Sequence, residues 1–285
     1  MRTKLNRKGV ACYAPTFTVG LTLALSFIFS CTSNIEMPPP PEYGDTSSSS
    51  STKPSSSSLA PSSSSVLSSS SQLGIISGAP VNYDDEIYET VVIGTQTWFN
   101  RNLNYNPSTG TSVCYSNEAS NCDKYGRLYD WSTAMALSSS CNSSICSGQV
   151  NAKHKGICPS GWHIPSNADW DKLMRYVDGT SGTESPYDSK TAGRYLKAAS
   201  GWNNGSSGWN SGGNDADAYG FSALPGGYGY SSGNFDDAGY YGIWWSASES
   251  YSYEAYTREM YCNDERAYWN EDDKSSLFSV RCVKD

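Results

Sequence analysis

Few residues in this chain have both the type and the spacing for catalysis. Gly229-Tyr230-Ser231-Ser232-Gly233 matches G-x-S-x-G, the pattern that sets a nucleophilic serine on a strand-to-helix elbow. That elbow also needs a histidine later in the chain, yet His154 and His163 both lie upstream and loop-like sequence flanks the motif. Nucleophilic catalysis is therefore not expected. Asp236, Asp237 and Glu249 are available as carboxylates for glycoside hydrolysis, but nothing in the sequence singles them out. Asn214, Asp215 and Asp217 offer hard oxygens suited to calcium, although their spacing is not that of an EF-hand, whose sixth position is glycine. No Cys-x-x-Cys pair occurs and histidines number two, so no structural zinc is expected. The cofactor expectation is none, with calcium as the weak candidate.

The stronger signal is aromatic. The Gly/Ser/Asn-rich segment from Ala199 to Tyr241 repeats GWN and carries Trp202, Trp209, Tyr228, Tyr230, Tyr240 and Tyr241. Exposed rings cover the apolar faces of sugars while nearby amides and carboxylates bond the hydroxyls. The competing reading is that these rings fill the core of a glycine-rich segment short of aliphatics.

Nine cysteines are present, of which Cys12 and Cys31 belong to the N-terminal region. Local spacing suggests the pairs Cys114–Cys122 and Cys141–Cys146, and Cys158 and Cys282 would make a long closure. Spacing alone does not fix connectivity. Cys262 is left over, and an unpaired, partly buried thiol is the commoner outcome.

These groups need elements to position them. VVIGTQTWF reads as a hairpin, Val91 to Ile93 and Gln96 to Phe99, around a Gly94-Thr95 type II′ turn. YGRLYDWSTAMAL ends in a short helix through Ala134 and Leu137. In CPSGWHIPSNADWDKL, Ser166 and Asp169 form a capping box, with Pro165 and Trp170 placed as a hydrophobic staple. Trp170, Leu173, Met174 and Val177 then make one apolar stripe that stops at Asp178-Gly179. Trp162 and Ile164 alternate with His163, which therefore points away from them and reads as structural. Further on, GIWWSAS, AYTREMYC and ERAYWN read as strands, the last two around a tight Asn263-Asp264 turn. In SLFSVRCVKD, Phe278, Val280 and Cys282 share one face.

Ahead of this lies a different kind of sequence. Residues 1–30 pair a cationic start with the apolar run VGLTLALSFIFS, too short to span a bilayer comfortably and typical of a secretory signal. Ile28, Phe29, Ser30 and Cys31 resemble a bacterial lipobox, which makes Cys31 the expected lipidated residue. Thr32, under enterobacterial sorting rules, would not hold the protein at the inner membrane. Residues 31–80 are serine runs broken by proline, too poor in apolar side chains to fold, and read as a disordered tether. Its r.m.s. span is roughly 40 Å. Residues 81–285 form the folded domain. The chain carries −8, and without its first 30 residues 16 bases face 28 acids. Nucleic-acid binding, which rests on Lys and Arg neutralising phosphates, is disfavoured.

YETVVIGTQTWFNRNLN, CYSNEASNCDKYGRLYDWSTAMAL, GICPSGWHIPSNADWDKLM, DADAYGFSALPGG and SLFSVRCVKD together resemble the Fibrobacter succinogenes major paralogous domain over Tyr88 to Asp285. That resemblance implies an exported protein or lipoprotein whose domain sits behind a Ser-rich linker. More distantly, the helix-entry pattern and the closing VRC strand resemble C-type-lectin-like and sulfatase-modifying-factor domains. This implies an α+β fold: a small twisted antiparallel sheet, two main helices and a long irregular loop region that carries function. Trp269-Asn270-Glu271 is similar to the Trp-Asn-Asp motif of calcium-dependent lectins. Here Glu replaces Asp and the Glu-Pro-Asn or Gln-Pro-Asp partner is missing, so a solvated acidic turn is expected instead. Cys262 and Cys282 do not reproduce the reactive cysteines of sulfatase-modifying enzymes.

The expectation is an exported, non-catalytic binding module at the outer membrane or cell surface. Its N-terminal lipid engages the membrane, and polysaccharide is the expected ligand. The alternative is a structural or protein-interaction domain of the cell envelope.

Overall fold

The computed structural model describes residues 74–203 and 216–285. Cys31, the signal and nearly all of the tether lie outside them, as do Trp209, Asn214 and Asp215. The chain runs through β1 (Val81–Tyr83), β2 (Glu86–Tyr88), β3 (Thr90–Ile93), β4 (Gln96–Phe99), β5 (Ser112–Val113), α1 (Ala119–Tyr125), β6 (Leu128–Tyr129) and α2 (Trp131–Ala134). It continues through β7 (Trp162–His163), α3 (Asn167–Asp178), α4 (Ala192–Leu196), β8 (Tyr228–Gly229) and β9 (Phe235–Asp236). It closes with β10 (Tyr241–Glu249), β11 (Glu254–Tyr261), β12 (Ala267–Asp273), β13 (Phe278–Ser279) and β14 (Val283–Lys284).

The expected α+β class holds, but with more sheet and less helix than expected. Among the described residues a six-stranded sheet has the order β12-β11-β10-β13-β6-β5, and a four-stranded sheet has the order β3-β4-β14-β7. The first is not wholly antiparallel, because β10 and β13 pair parallel at Trp244 and Ser279. Among the described residues only α3 exceeds two turns of helix; the expected second main helix shrinks to Trp131–Ala134, capped by Asp130 and leaving Leu137 outside it. Helix α1 was not anticipated.

Strand β10 explains why its sequence is a continuous apolar run. Tyr241, Ile243, Trp245 and Ala247 face one core with Tyr129, Trp131 and Phe278. Trp244 faces the other, with Trp98, Trp170, Leu173 and Met174. A strand buried on both faces has no polar alternation to display. The cores hold several indoles, and three of their N–H groups find acceptors: Trp131 donates to Ser246 O at 3.0 Å, Trp245 to Tyr129 O at 2.7 Å and Trp244 to Asn102 Oδ1 at 2.8 Å, whereas Trp98 Nε1 is buried without a partner.

The last residues stitch the two sheets together. Phe278 and Ser279 pair with β6 in one sheet, while Val283 and Lys284 lie between β4 and β7 in the other. Between them Val280 O and Cys282 O accept from Leu103 N at 2.8 Å and Phe99 N at 3.1 Å. Phe278, Val280 and Cys282 share one core, as their alternation predicts. Disulfides join Cys114–Cys122, Cys141–Cys146 and Cys158–Cys282, with Cα separations of 4.9, 5.6 and 5.9 Å. Cys262 is also disulfide-bonded, which corrects the reading of it as a spare thiol.

The β3–β4 hairpin forms as read, with Gly94 at φ 62° supplying the positive φ of its turn. Three other local readings change. Residues 261–266 separate Met260 from its partner Ala267, so the β11–β12 connection is longer than the tight Asn263-Asp264 turn expected there. Trp269-Asn270-Glu271 lies within β12 rather than in a turn. Backbone pairing also reaches back to Ile76 and Gly78, which bond to Val92 and Thr90, so the folded part begins before residue 81.

Candidate functional site

The aromatic segment was the first site to test, and most of its described rings turn inward. Trp202, Tyr228 and Tyr241 are buried, which corrects their reading as a ligand-facing row. Trp202 donates Nε1–H to Ala223 O at 2.9 Å. Tyr228 packs edge-on to Phe278 at 6.2 Å and stacks with Tyr241 at 6.4 Å. Tyr240 is half-buried, and Tyr230 is 39% exposed on the turn between β8 and β9. Ser231 of the G-x-S-x-G match sits on that same turn, between two strands rather than before a helix. Asp217 spends its carboxylate locally, accepting from Ser222 N at 2.6 Å and Ser222 Oγ at 2.5 Å. Among the described residues no group of three or more His, Cys, Asp or Glu stands together as a metal site.

A polar groove is built instead at the C-terminal end of α3. The helix starts where the sequence places it. Asp169 N donates to Ser166 Oγ at 3.3 Å, and Asp169 Oδ2 accepts from Ser166 N at 3.0 Å. It ends at Gly179, φ 63°, where the left-handed region suits glycine. Asp178, the last helical residue, stands against the partial negative charge of the helix end. Hydrogen bonds offset that: its carboxylate accepts from Tyr187 Oη at 3.0 Å, Ser189 Oγ at 2.9 Å, Lys190 N at 2.9 Å and Thr191 Oγ1 at 2.8 Å. Burial pushes its pKa up, but these donors hold it below the usual carboxylate value.

Asp178 thereby folds the 187–191 loop back against the helix. From the other side Arg258 of β11 donates to Tyr187 O at 2.7 Å and to buried Asp171 at 2.9 Å. Arg175 covers the Tyr187 ring at 4.0 Å. The result is an open groove of about 560 Å³ whose walls include Thr180, Ser181, Tyr187, Asp188, Lys190 and Trp269. It combines aromatic surface with hydroxyls, two acids, Glu184 and Asp188, and two bases, Arg175 and Lys190, groups that can bond a polar ligand.

Other charged groups are consumed in the interior, and sequence reasoning missed them. Lys274 pairs with Glu249 in a buried ion pair. Arg281 donates to Asn102 Oδ1 at 2.6 Å and to Phe221 O, with its guanidinium 4.3 Å from the Phe221 ring. Lys197 donates to Tyr261 O at 2.8 Å and Asp264 O at 2.7 Å, and burial pushes its pKa down to about 8. For Arg281 and Lys197 the signal was a charge among apolar residues, in SVRCV and YLKAA, whereas Lys274 in EDDKSS carried no such signal. His163 is buried, as a structural residue should be: Asp285 Oδ1 lies 2.8 Å from Nδ1 and Asp169 Oδ2 lies 3.3 Å from Nε2.

Compared with known families, residues 91–284 match the Fibrobacter succinogenes major domain. No curated protein and no solved structure matches the chain.

Proposed function

The chain belongs to the Fibrobacter succinogenes major domain family, and we propose that this member is an exported, non-catalytic module that binds polysaccharide. It is held at the outer membrane or cell surface by a lipid on Cys31 and by the Ser/Pro-rich tether. Three disulfides among the described residues support an oxidising compartment. We extend the proposal to a C-type-lectin-like fold, supported by the disulfide that pins the approach to α3 against the closing strand and by the irregular stretch after α4.

The observation that carries the reading is the groove between the 180–190 loop and β12. Tyr187 and Trp269 offer ring surface to a pyranose face, and Thr180, Ser181 and Asp188 offer partners for its hydroxyls. Affinity electrophoresis of the full-length chain through gels holding soluble xylan, mannan or mixed-linkage glucan tests it. Retardation in at least one gel is expected, weakened about tenfold by Trp269→Ala. Unchanged mobility in every gel overturns the reading.

The burial of Trp202, Tyr228 and Tyr241 favours a second reading, a structural or protein-interaction domain of the envelope in which rings serve only as core. Absence of retardation, together with one discrete cross-linked product on intact cells, would favour it.

A further inference from the structure

Of the eight large hydrophobic side chains exposed among the described residues, three converge around one buried ion pair. They are Ile145, 70% exposed, and Tyr251 and Tyr253, 59% and 53% exposed. Lys274 Nζ donates to Ser144 O at 3.2 Å and to Ser252 O at 3.0 Å. One ammonium thus gathers the residue before Ile145 and the residue between the two tyrosines. The Glu249 carboxylate accepts from Cys146 N at 2.9 Å and Ser147 N at 2.7 Å, and pairs with Lys274. The Cys141–Cys146 disulfide closes the Ile145 loop, while Tyr251 N and Glu254 O close the β10–β11 tip at 3.0 Å. Beneath them the Trp131 ring lies 4.7 Å from the ammonium.

This construction presents two phenol rings and an isoleucine on a backbone that is already held, so little conformational entropy is lost on binding. The charges that hold it are withdrawn from solvent, hydroxyls and an amide lie on one side, and Glu271 and Asp273 of β12 flank the other. Ser147, Asn151, Ser166 and Ser248 line an adjoining cleft of about 320 Å³. The chain as a whole carries −8, which disfavours a polyanionic ligand. We propose that the Tyr251/Tyr253 tip and Ile145 form a second binding surface, which lies flat against an insoluble, neutral polysaccharide. The proposal rests on the polysaccharide reading above and adds both a place and a class of glycan to it.

The test compares full-length chain with Tyr251→Ala/Tyr253→Ala and with Ile145→Ser. Depletion is measured on microcrystalline cellulose, insoluble mannan and insoluble pectate, with thermal melting as the folding check. Soluble-glycan electrophoresis runs in parallel. The proposal expects wild-type depletion on a neutral solid. It expects at least a tenfold lower partition for the double variant, a smaller loss for Ile145→Ser, and unchanged melting and soluble-glycan retardation for both. Equal depletion by the wild type and the double variant overturns the second surface and leaves the groove reading standing. Soluble retardation without depletion on any solid does the same. Depletion on pectate alone overturns the neutral class. If the wild type binds neither soluble nor solid glycan, the function itself falls, and this surface with it.

Discussion

His163 shows how a single residue can read correctly in type while its purpose stays out of sight. Alternation with Trp162 and Ile164 turned it away from their core, and its ring meets Asp169 and Asp285 instead. Burial alone lowers its pKa, but hydrogen bonds to the two carboxylates raise it above the ordinary value. A raised histidine contributes stability that is fully present below its unfolded pKa, about 6.5, and is lost as pH rises through the folded value. For Asp169, burial raises the pKa, but His163 and Ser166 hold it lowered. Its contribution is present above about 3.9 and is lost as pH falls through the folded value. Melting temperature is therefore expected to peak between about pH 4 and 6.5 and to decline above neutrality. His163→Gln should flatten that upper decline and cost about 1–3 kcal/mol in mildly acidic buffer. Circular-dichroism melts from pH 4 to 9 check both, and parallel curves for the two proteins would refute the assignment. The histidine was legible because alternation is local, whereas Asp285 lies 122 positions away.

At the scale of elements, legibility followed the range of the forces. Helix α3 was readable end to end because its cap, apolar stripe and glycine stop all act within a few residues. Ser166→Ala should cost about 1 kcal/mol by removing the cap. At Gly179 an added Cβ meets nothing within 4 Å, so Gly179→Ala tests the φ of 63° alone and should cost about 1 kcal/mol. Urea titrations should show both as lowered midpoints with unchanged slopes; a neutral Gly179→Ala would mean that the left-handed stop is not retained. The first half of β12 was readable in ERAYWN, but Trp269-Asn270-Glu271 was also read as an acidic turn, and its strand state comes from pairing with β11.

The whole molecule is closed by its C-terminal segment, which joins both sheets and is tied by Cys282 to Cys158, 124 positions earlier. Chain-entropy arguments credit so long a loop with about 4–5 kcal/mol, against about 2 for the Cys141–Cys146 loop. Set against a typical total of about 5–15 kcal/mol, the first is a large share. Replacing Cys158 and Cys282 by Ser should therefore lower the melting temperature at least twice as far as replacing Cys141 and Cys146. A reversed order would show that strain or residual structure, rather than loop length, dominates. The two proposed binding surfaces depend on the same closure, because β10 to β12 carry the tip and one wall of the groove.

By itself the sequence determined the local devices: the β3–β4 hairpin, the capped helix, the alternating face of the last strand and the aromatic make-up of the interior; it suggested the disulfide pairs without fixing them. It also carried the family likeness that residues 91–284 bear out. Tertiary structure alone decided which rings meet solvent. Trp202, Tyr228 and Tyr241 look exposed amid glycines but are covered in the folded chain, whereas Tyr251 and Tyr253 look ordinary in YSYEAY and stand out at a hairpin tip. Side-chain periodicity gives the face of an element. Whether that face is covered depends on segments a hundred residues away, whose approach is set by packing rather than by local preference.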